Sequence, residues 1–192
     1  MESFFNNASV SAFLGALFGG IFAVATVFVT DRLRDRRTVK TIRSEISIAH
    51  DHAKNKLETV RNMRRAMLER KQIIPGEVLR FDVGVIRELK ARILHLLKPR
   101  QRQALDAVLF RMERVDAHLE DIHEGQQALR GELPTDKRDE AVARLASILH
   151  DNIVNLKVLI EIADRYCKGD FAGITQKQYR LGDYAEPLES DS

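Results

Sequence analysis

Near the start of the chain, residues 10–29 read VSAFLGALFGGIFAVATVFV. No charged residue occurs from Ala8 to Thr30. With a helical rise of about 1.5 Å per residue, such a run crosses the roughly 30 Å hydrocarbon core of a bilayer. A core helix of a soluble protein rarely continues so far without a polar face. The stretch therefore predicts a transmembrane helix over residues 8–30, with a short extracytoplasmic N-terminus at residues 1–7.

The residues on either side of this segment indicate whether it is cleaved and which way it is oriented. Residues 23–25 read AVA and resemble a signal-peptidase site, so a cleaved signal peptide is the alternative. Residues 1–5, MESFF, lack the positive charge that signal peptides carry there, which favours a retained anchor. The positive charge follows the apolar run, so we expect a membrane protein with its C-terminal domain in the cytoplasm. The residues expected to meet lipid headgroups, here named the basic collar, are Arg32, Arg34, Arg36, Arg37 and Lys40.

One side of the predicted anchor carries small residues at four-residue spacing. This small-residue face consists of Ser11, Gly15, Gly19 and Ala23. Such spacing lets two helix backbones approach closely, which favours association in lipid. Because glycine and alanine are common in membrane helices, chance composition is the alternative. We expect homo-oligomers, and any pore they form would be lined by serine, threonine and small apolar groups.

The rest of the chain predicts an all-α fold. Residues 31–170 are rich in leucine, isoleucine, valine, arginine and glutamate and poor in proline, a composition that favours helix. We expect a cytoplasmic four-helix bundle over residues 31–170 and a loosely ordered tail over residues 171–192. The single cysteine, Cys167, suits a reducing compartment and is expected to be a small buried hydrophobe rather than a functional thiol.

Apolar periodicity places the four helices. The first has a coiled-coil-like seam of period 3.5 up to about Lys71, and it ends in the turn at residues 73–76. Lys56 interrupts one row of this seam, and Leu57 beside it partly covers the gap. The second helix runs from about Asp82 to Lys98, the third begins at Pro99, and the fourth ends at Gly169. The residues expected on the first seam are Val39, Ile42, Ile46, Ala49, Ala53, Val60, Met63 and Met67.

Two histidine motifs contain residue types that bind metals. His50 and His52 flank Asp51, but residues two apart on a helix diverge by about 200° and suit solvent better than a shared metal. Glu120 and His123 form one Glu-x-x-His unit, whereas a di-metal bundle needs two such units and further inward glutamates. We therefore expect neither a metal site nor a cofactor.

A second group of basic residues lies near the end of the first helix. This distal basic group consists of Arg61, Arg64, Arg65, Arg70 and Lys71. It suits RNA or an acidic partner, and residues 131–192 carry a net charge of −4 that would serve as one. Because no aromatic residues are interleaved for base stacking, pairing within the protein or with solvent is the favoured interpretation, and RNA is the alternative.

An arginine precedes a histidine by six or seven residues on three of the helices: Arg43 and His50, Arg111 and His118, Arg144 and His150. The arginine content also produces such spacings by chance. Together with one N-terminal anchor, a small helical bundle and a length near 200 residues, they give the chain a layout that resembles the small membrane-anchored HEPN-like accessory proteins of RNA-targeting CRISPR systems. The resemblance implies a ring with a central membrane pore and a depolarising antiviral role. It also implies Arg144 and His150 as candidate ribonuclease residues.

Three functions remain open at this stage. The first is a self-associating inner-membrane protein that perturbs membranes or forms a pore in bacterial defence. The second is a non-catalytic tether that presents a helical bundle to a cytoplasmic protein partner. The third is a membrane-anchored ribonuclease. No motif in the sequence has the specificity of a known active site, so a non-enzymatic function is favoured.

Overall fold

The computed structural model describes residues 2–69, 80–131, 134–177 and 179–185, without the side chains of residues 2–11, 13–15, 135 and 181. The described chain is all-helical and contains no strand, which confirms the predicted all-α class. It consists of α1 (Glu2–Leu68), α2 (Val83–Ile93), α3 (Pro99–Arg130), α4 (Thr135–Lys168) and α5 (Phe171–Gln176). Single 3₁₀ turns occur at Leu94–Leu96 and Leu181–Tyr184.

The chain divides into two compact units at residue 41. The first unit, residues 1–41, is the N-terminal part of α1, and the second, residues 42–192, holds the remainder of α1 and all the other helices. Within the described residues, α1 contains the one helical stretch long and apolar enough to cross a membrane, and none of that stretch is buried.

The core of the second unit is one hydrophobic cluster to which α1, α2, α3, α4 and α5 all contribute. The seam predicted on α1 is buried from Ile42 to Met67, whereas Val39, its expected first member, lies before this unit and is exposed. Lys56 does not interrupt the seam as expected, because its side chain is itself buried in the row. Leu57 is half-buried beside it and packs against the core.

The ends of the other helices follow from local chemistry. The Asp82 carboxylate accepts a hydrogen bond from the backbone N–H of Val85 and caps α2. Pro99 is the first residue of α3, where its missing N–H costs nothing. Gly169 ends α4 with φ of 80°, a left-handed conformation that favours glycine. α2 is shorter than predicted, because a 3₁₀ turn replaces its last residues, and the turn predicted at residues 73–76 lies outside the described residues.

The described residues after Gly169 form more regular structure than the loosely ordered tail that the sequence predicts. Residues 171–176 form α5, whose Ile174 is buried in the core. The Phe171 ring packs edge-on against Tyr166 with ring centroids 5.2 Å apart. These apolar side chains enter the core, and α5 and the 3₁₀ turn at Leu181–Tyr184 both contact α4. The rest of the predicted tail lies outside the described residues.

Candidate functional site

The N-terminal part of α1 presents large apolar side chains on its surface. Phe18, Phe22, Val24 and Phe28 are each more than half exposed, and Phe22 reaches 70%. Monomeric soluble proteins rarely expose apolar surface of this extent. An exposed apolar surface of this size is typical of a membrane or partner contact.

The small-residue face lies on this same stretch. Gly19 and Ala23 are exposed, and a Cβ atom placed on Gly19 would meet no atom within 4 Å. The backbone at Ser11 and Gly15 is helical, and the side chains there are outside those described. The face is therefore open to a second helix at Gly19.

Two threonines continue the helix toward the collar. The Thr26 and Thr30 hydroxyls donate to the carbonyls of Phe22 and Thr26, each at 2.7 Å. Hydroxyls that bond four residues back satisfy themselves within the helix. This part of α1 therefore places no unsatisfied hydroxyl in its surroundings.

All five members of the basic collar are exposed: Arg32, Arg34, Arg36, Arg37 and Lys40. The acidic residue among them, Asp35, is half-buried. The charged surface thus begins within two residues of the apolar stretch.

The distal basic group does not form a single exposed surface in the described chain. Arg65 is exposed, Arg61 is half-buried and Arg64 is buried with 8% of its surface exposed. Arg70 and Lys71 lie outside the described residues. The sequence pattern missed the burial of Arg64, because long arginine side chains pack their stems along apolar surface.

Arg144 and His150, the candidate ribonuclease pair, have different surroundings. Arg144 is exposed and lines a groove between α3 and α4, and His150 is not among the described residues that line it. The His150 Nδ1 atom is buried and has no hydrogen-bond partner among the described residues. Positions six apart on a helix differ by about 240° around its axis, which separates the two side chains. A ribonuclease role for this pair stays a prediction, which loss of cleavage in a His150→Ala variant would support.

The residues of the other two Arg–His pairs contact other side chains or are buried. Arg43 is exposed, and its partner His50 contacts Asp51 at 3.0 Å. Arg111 donates to the Asn155 Oδ1 atom at 2.8 Å, whereas His118 is buried. Burial and the nearby Arg114 lower the pKa of His118 below its usual value.

The histidine motifs considered for metals also have other contacts. Glu120 pairs with Arg80, and His123 hydrogen-bonds to Gln127 at 2.8 Å. Within the described part of the chain, no three His, Cys, Asp or Glu side chains converge in a metal-binding group. Cys167 is half-buried and packs against the core, and burial raises the pKa of its thiol.

A buried charged cluster links α1, α3 and the entry to α2. The Lys56 Nζ atom lies 3.7 Å from the Asp116 Oδ1 atom and 4.2 Å from the centroid of the Phe81 ring. The Phe81 N–H donates to both carboxylate oxygens of Asp116, at 3.0 and 3.3 Å. Burial lowers the pKa of Lys56 and raises that of Asp116, and their attraction opposes both shifts. Sequence reasoning found Lys56 as an irregularity in the seam but had no signal for its partners.

Polar residues also occur between α3 and α4. Asn152 of α4, which is fully buried, donates to the Val115 carbonyl at 3.3 Å. Beside it, Asn155 accepts from Arg111 and donates to the Asp151 carbonyl at 2.8 Å. The bonds that Asn152 makes to Val115 and Arg111 makes to Asn155 join α3 and α4, and they are lost if the helices shift along each other, so they help to fix the register.

Glu161 on α4 holds the end of the described chain. Its carboxylate accepts from Arg165 at 2.9 Å, from Lys177 at 2.7 Å and from the Tyr184 hydroxyl. Burial alone would raise the pKa of Glu161, but these hydrogen bonds outweigh it and lower the pKa. Lys157 adds a bond of 3.1 Å to the Tyr184 carbonyl. The tail is thus attached by charge as well as by apolar packing.

A cleft of about 460 Å³ lies between α2 and α3, and it is named the α2/α3 cleft. Ala91, Leu94, Leu109 and Phe110 form its apolar walls. Its charged rim consists of two ion pairs between the helices, Arg87 with Glu113 and Lys90 with Asp106. Phe110 is 61% exposed, which makes it the most exposed large apolar side chain described beyond the N-terminal unit.

The chain was compared with protein-family models, curated proteins and solved structures, and none of these matches it.

Proposed function

We propose that the chain is a single-pass inner-membrane protein whose copies associate through the small-residue face and whose assembly perturbs the membrane. The N-terminus lies outside and residues 42–192 form a cytoplasmic domain. The observation that carries the proposal is the unburied apolar stretch of α1, on which Gly19 is open to close approach.

The polar groups of this stretch support residence in lipid. A hydroxyl without a partner in hydrocarbon costs several kcal/mol, and the hydroxyls of Thr26 and Thr30 already have partners in their own helix. The basic collar follows directly, so its side chains reach phosphate headgroups on the cytoplasmic side.

The small-residue face supports association between anchors. Lipid offers no hydrophobic force between helices, so contact depends on close packing of backbones. Gly19 provides an open position for that packing, and Gly15 lies one turn before it on the same face. Phe18, Phe22 and Phe28 lie on the same exposed stretch and suit contact with acyl chains.

The cytoplasmic part of α1 with α2, α3 and α4 would form a four-helix bundle carried by each anchor. The resemblance in layout to the membrane-anchored HEPN-like accessory proteins supports a role for the assembly as a depolarising effector. Nothing in this proposal requires a catalytic residue.

The test is membrane depolarisation in cells that express the full chain, followed with a potential-sensitive dye. Wild-type protein should depolarise the membrane, and the Gly15→Leu/Gly19→Leu variant should not, because leucine prevents close approach. Val24→Leu is the matched control, since it keeps an exposed apolar residue. All three proteins must reach the membrane in equal amounts. Equal depolarisation by the double leucine variant would exclude association through this face as the cause.

One observation favours the tether as a second candidate. The groove between α3 and α4 has an apolar floor that includes Gly125, Leu145 and Ile148, and charged residues surround it. Such a groove suits a helix of a soluble partner. A stable complex with a cytoplasmic protein, formed without depolarisation, would support the tether over the effector.

A further inference from the structure

One member of the basic collar lies on the same side of α1 as the small-residue face. Both belong to the N-terminal unit and to one continuous helix, so their directions around its axis follow from 3.6 residues per turn. Arg37 comes about five complete turns after Gly19 and therefore points in the same direction. Arg34 and Lys40 lie about 60° to either side of it. Anchors that pack at Gly19 therefore also bring together the Arg37 residues of neighbouring copies.

No carboxylate lies on this side of α1 to balance Arg37. The two acidic residues at the end of the apolar stretch, Asp31 and Asp35, lie about 120° and 160° from the direction of Gly19. Within the described residues, all ion pairs involve residues from His50 onward, so Arg37 has no counter-charge among them. Its side chain is exposed and available to a negative group from outside the chain.

Association of the anchors places the Arg37 charges of neighbouring copies close together. Arg37 lies about 27 Å along the axis from Gly19. Helices that pack at Gly19 and cross at about 20° separate by only roughly 10 Å over this length. This distance is close to the Debye length of about 8 Å, so dissolved salt screens the repulsion only in part. A negative group between the arginines therefore favours association.

We propose that this negative group is the phosphate of an anionic lipid headgroup, and that its binding is coupled to association of the anchors. The inference rests on the proposed association through the small-residue face. Arg37 lies about 10 Å beyond Thr30, where the uncharged stretch ends. The headgroup layer extends roughly 5–8 Å beyond the hydrocarbon core, so the long Arg37 side chain reaches back into it. The coupling is reciprocal, because a lipid that strengthens association is itself bound more tightly by the assembly.

Energy transfer between labelled copies of the full chain in vesicles tests this coupling. The vesicles contain phosphatidylcholine alone or phosphatidylcholine with anionic phosphatidylglycerol, and the protein is diluted with lipid. In phosphatidylcholine alone, the wild-type protein should need a roughly tenfold higher ratio of protein to lipid to associate. Arg37→Gln should associate almost equally in both lipids, because the repulsion is removed.

Arg32→Gln is the matched control, because Arg32 is equally exposed but lies about 140° from the direction of Gly19. It should keep the tenfold difference between the two lipids. Each variant retains the other four basic residues of the collar, so the orientation in the membrane is preserved.

The outcomes separate this inference from the proposed function. Equal association of the wild-type protein in both lipids, still weakened by Gly15→Leu/Gly19→Leu, overturns the coupling and leaves the proposed function standing. Loss of the lipid dependence in Arg32→Gln as well as in Arg37→Gln overturns the assignment to this side of the helix. If inorganic phosphate restores association in phosphatidylcholine, relative to chloride at equal ionic strength, the anion is soluble and the lipid assignment is wrong. A chain that associates in neither lipid overturns both proposals.

Discussion

Loss of the Asp116 carboxylate should destabilise the second unit more than loss of the Lys56 ammonium. The Lys56 side chain is only 7% exposed, and Asp116 is its ion-pair partner. In Asp116→Ala the Lys56 ammonium still contacts the face of the Phe81 ring but has no carboxylate beside it. The Phe81 N–H also loses its hydrogen-bond acceptor. Removing one partner of a buried pair costs about 3–5 kcal/mol. Because the Asp116 side chain is 15% exposed and water can enter, we expect about 3 kcal/mol, at the low end of that range.

The Lys56→Met variant should cost less, about 1 kcal/mol. Methionine fills much of the same volume in the core, and the Asp116 carboxylate keeps its bonds from the Phe81 N–H. The variant that combines Lys56→Met with Asp116→Ala should be more stable than Asp116→Ala alone by about 1–2 kcal/mol, because no ammonium remains buried without a counter-charge.

Urea unfolding of the full chain in nanodiscs, followed by far-UV circular dichroism, measures these differences. Lys54→Met is the matched control, because Lys54 is exposed on the same helix and its loss should change stability by less than about 0.5 kcal/mol. The reasoning is refuted if Asp116→Ala costs no more than Lys56→Met, or if the double variant is the least stable of the three.

The same cluster predicts a dependence on pH. Burial lowers the pKa of Lys56 below 10.5, so the unfolded chain binds this proton more tightly than the folded chain. Stability should therefore rise as the pH increases through the window below 10.5. Lys56→Met should lack this rise, which urea unfolding over a pH series will show.

Three further predictions concern other parts of the second unit. The pKa of His118 is lowered from 6.5, so the unfolded chain binds this proton more tightly than the folded chain. The free energy of unfolding of the wild-type protein should therefore fall as the pH decreases below 6.5, and that of His118→Gln should fall less. Glu161→Gln weakens the attachment of the tail by about 1 kcal/mol, so trypsin should cut after Lys177 and Arg180 roughly fivefold faster. Gly169→Ala should cost about 1 kcal/mol in urea unfolding, because alanine is strained at a φ of 80°.

Each of these three has a control and a contrary result. If the wild-type protein and His118→Gln lose the same free energy of unfolding at low pH, His118 is excluded as the cause. Glu58→Gln on the exposed side of α1 should leave tryptic cleavage unchanged, and an equal effect there would count against the Glu161 attachment. Gly84→Ala in α2 should be neutral or stabilising, and a loss as large as that of Gly169→Ala would contradict the strain argument.

The helices could be predicted from the sequence because their signals are local. The seam from Ile42 to Met67 repeats every three or four residues, and Pro99 and Gly169 occur where a helix begins and ends. The long apolar stretch of α1 could be predicted for the same reason, since its length and composition are read directly from consecutive residues.

What the sequence could not show depends on contacts between distant residues. Lys56 looked like a defect in a seam, because Asp116 lies sixty residues away and supplies the compensating charge. The tail looked loose for the same reason, since Glu161 attaches it from another helix. Arg144 lines the groove between α3 and α4 and His150 is not among its described lining, and the motif spacing could not show this, because spacing along a helix does not determine which side chains face each other.

The central claim, association through the anchor, is tested most directly by the particle mass of the full chain in nanodiscs. Wild-type protein should give a discrete oligomer, and Gly15→Leu/Gly19→Leu should shift it to monomer while Val24→Leu does not. A monomer for the wild-type protein, or an oligomer that the leucines leave intact, would contradict the account.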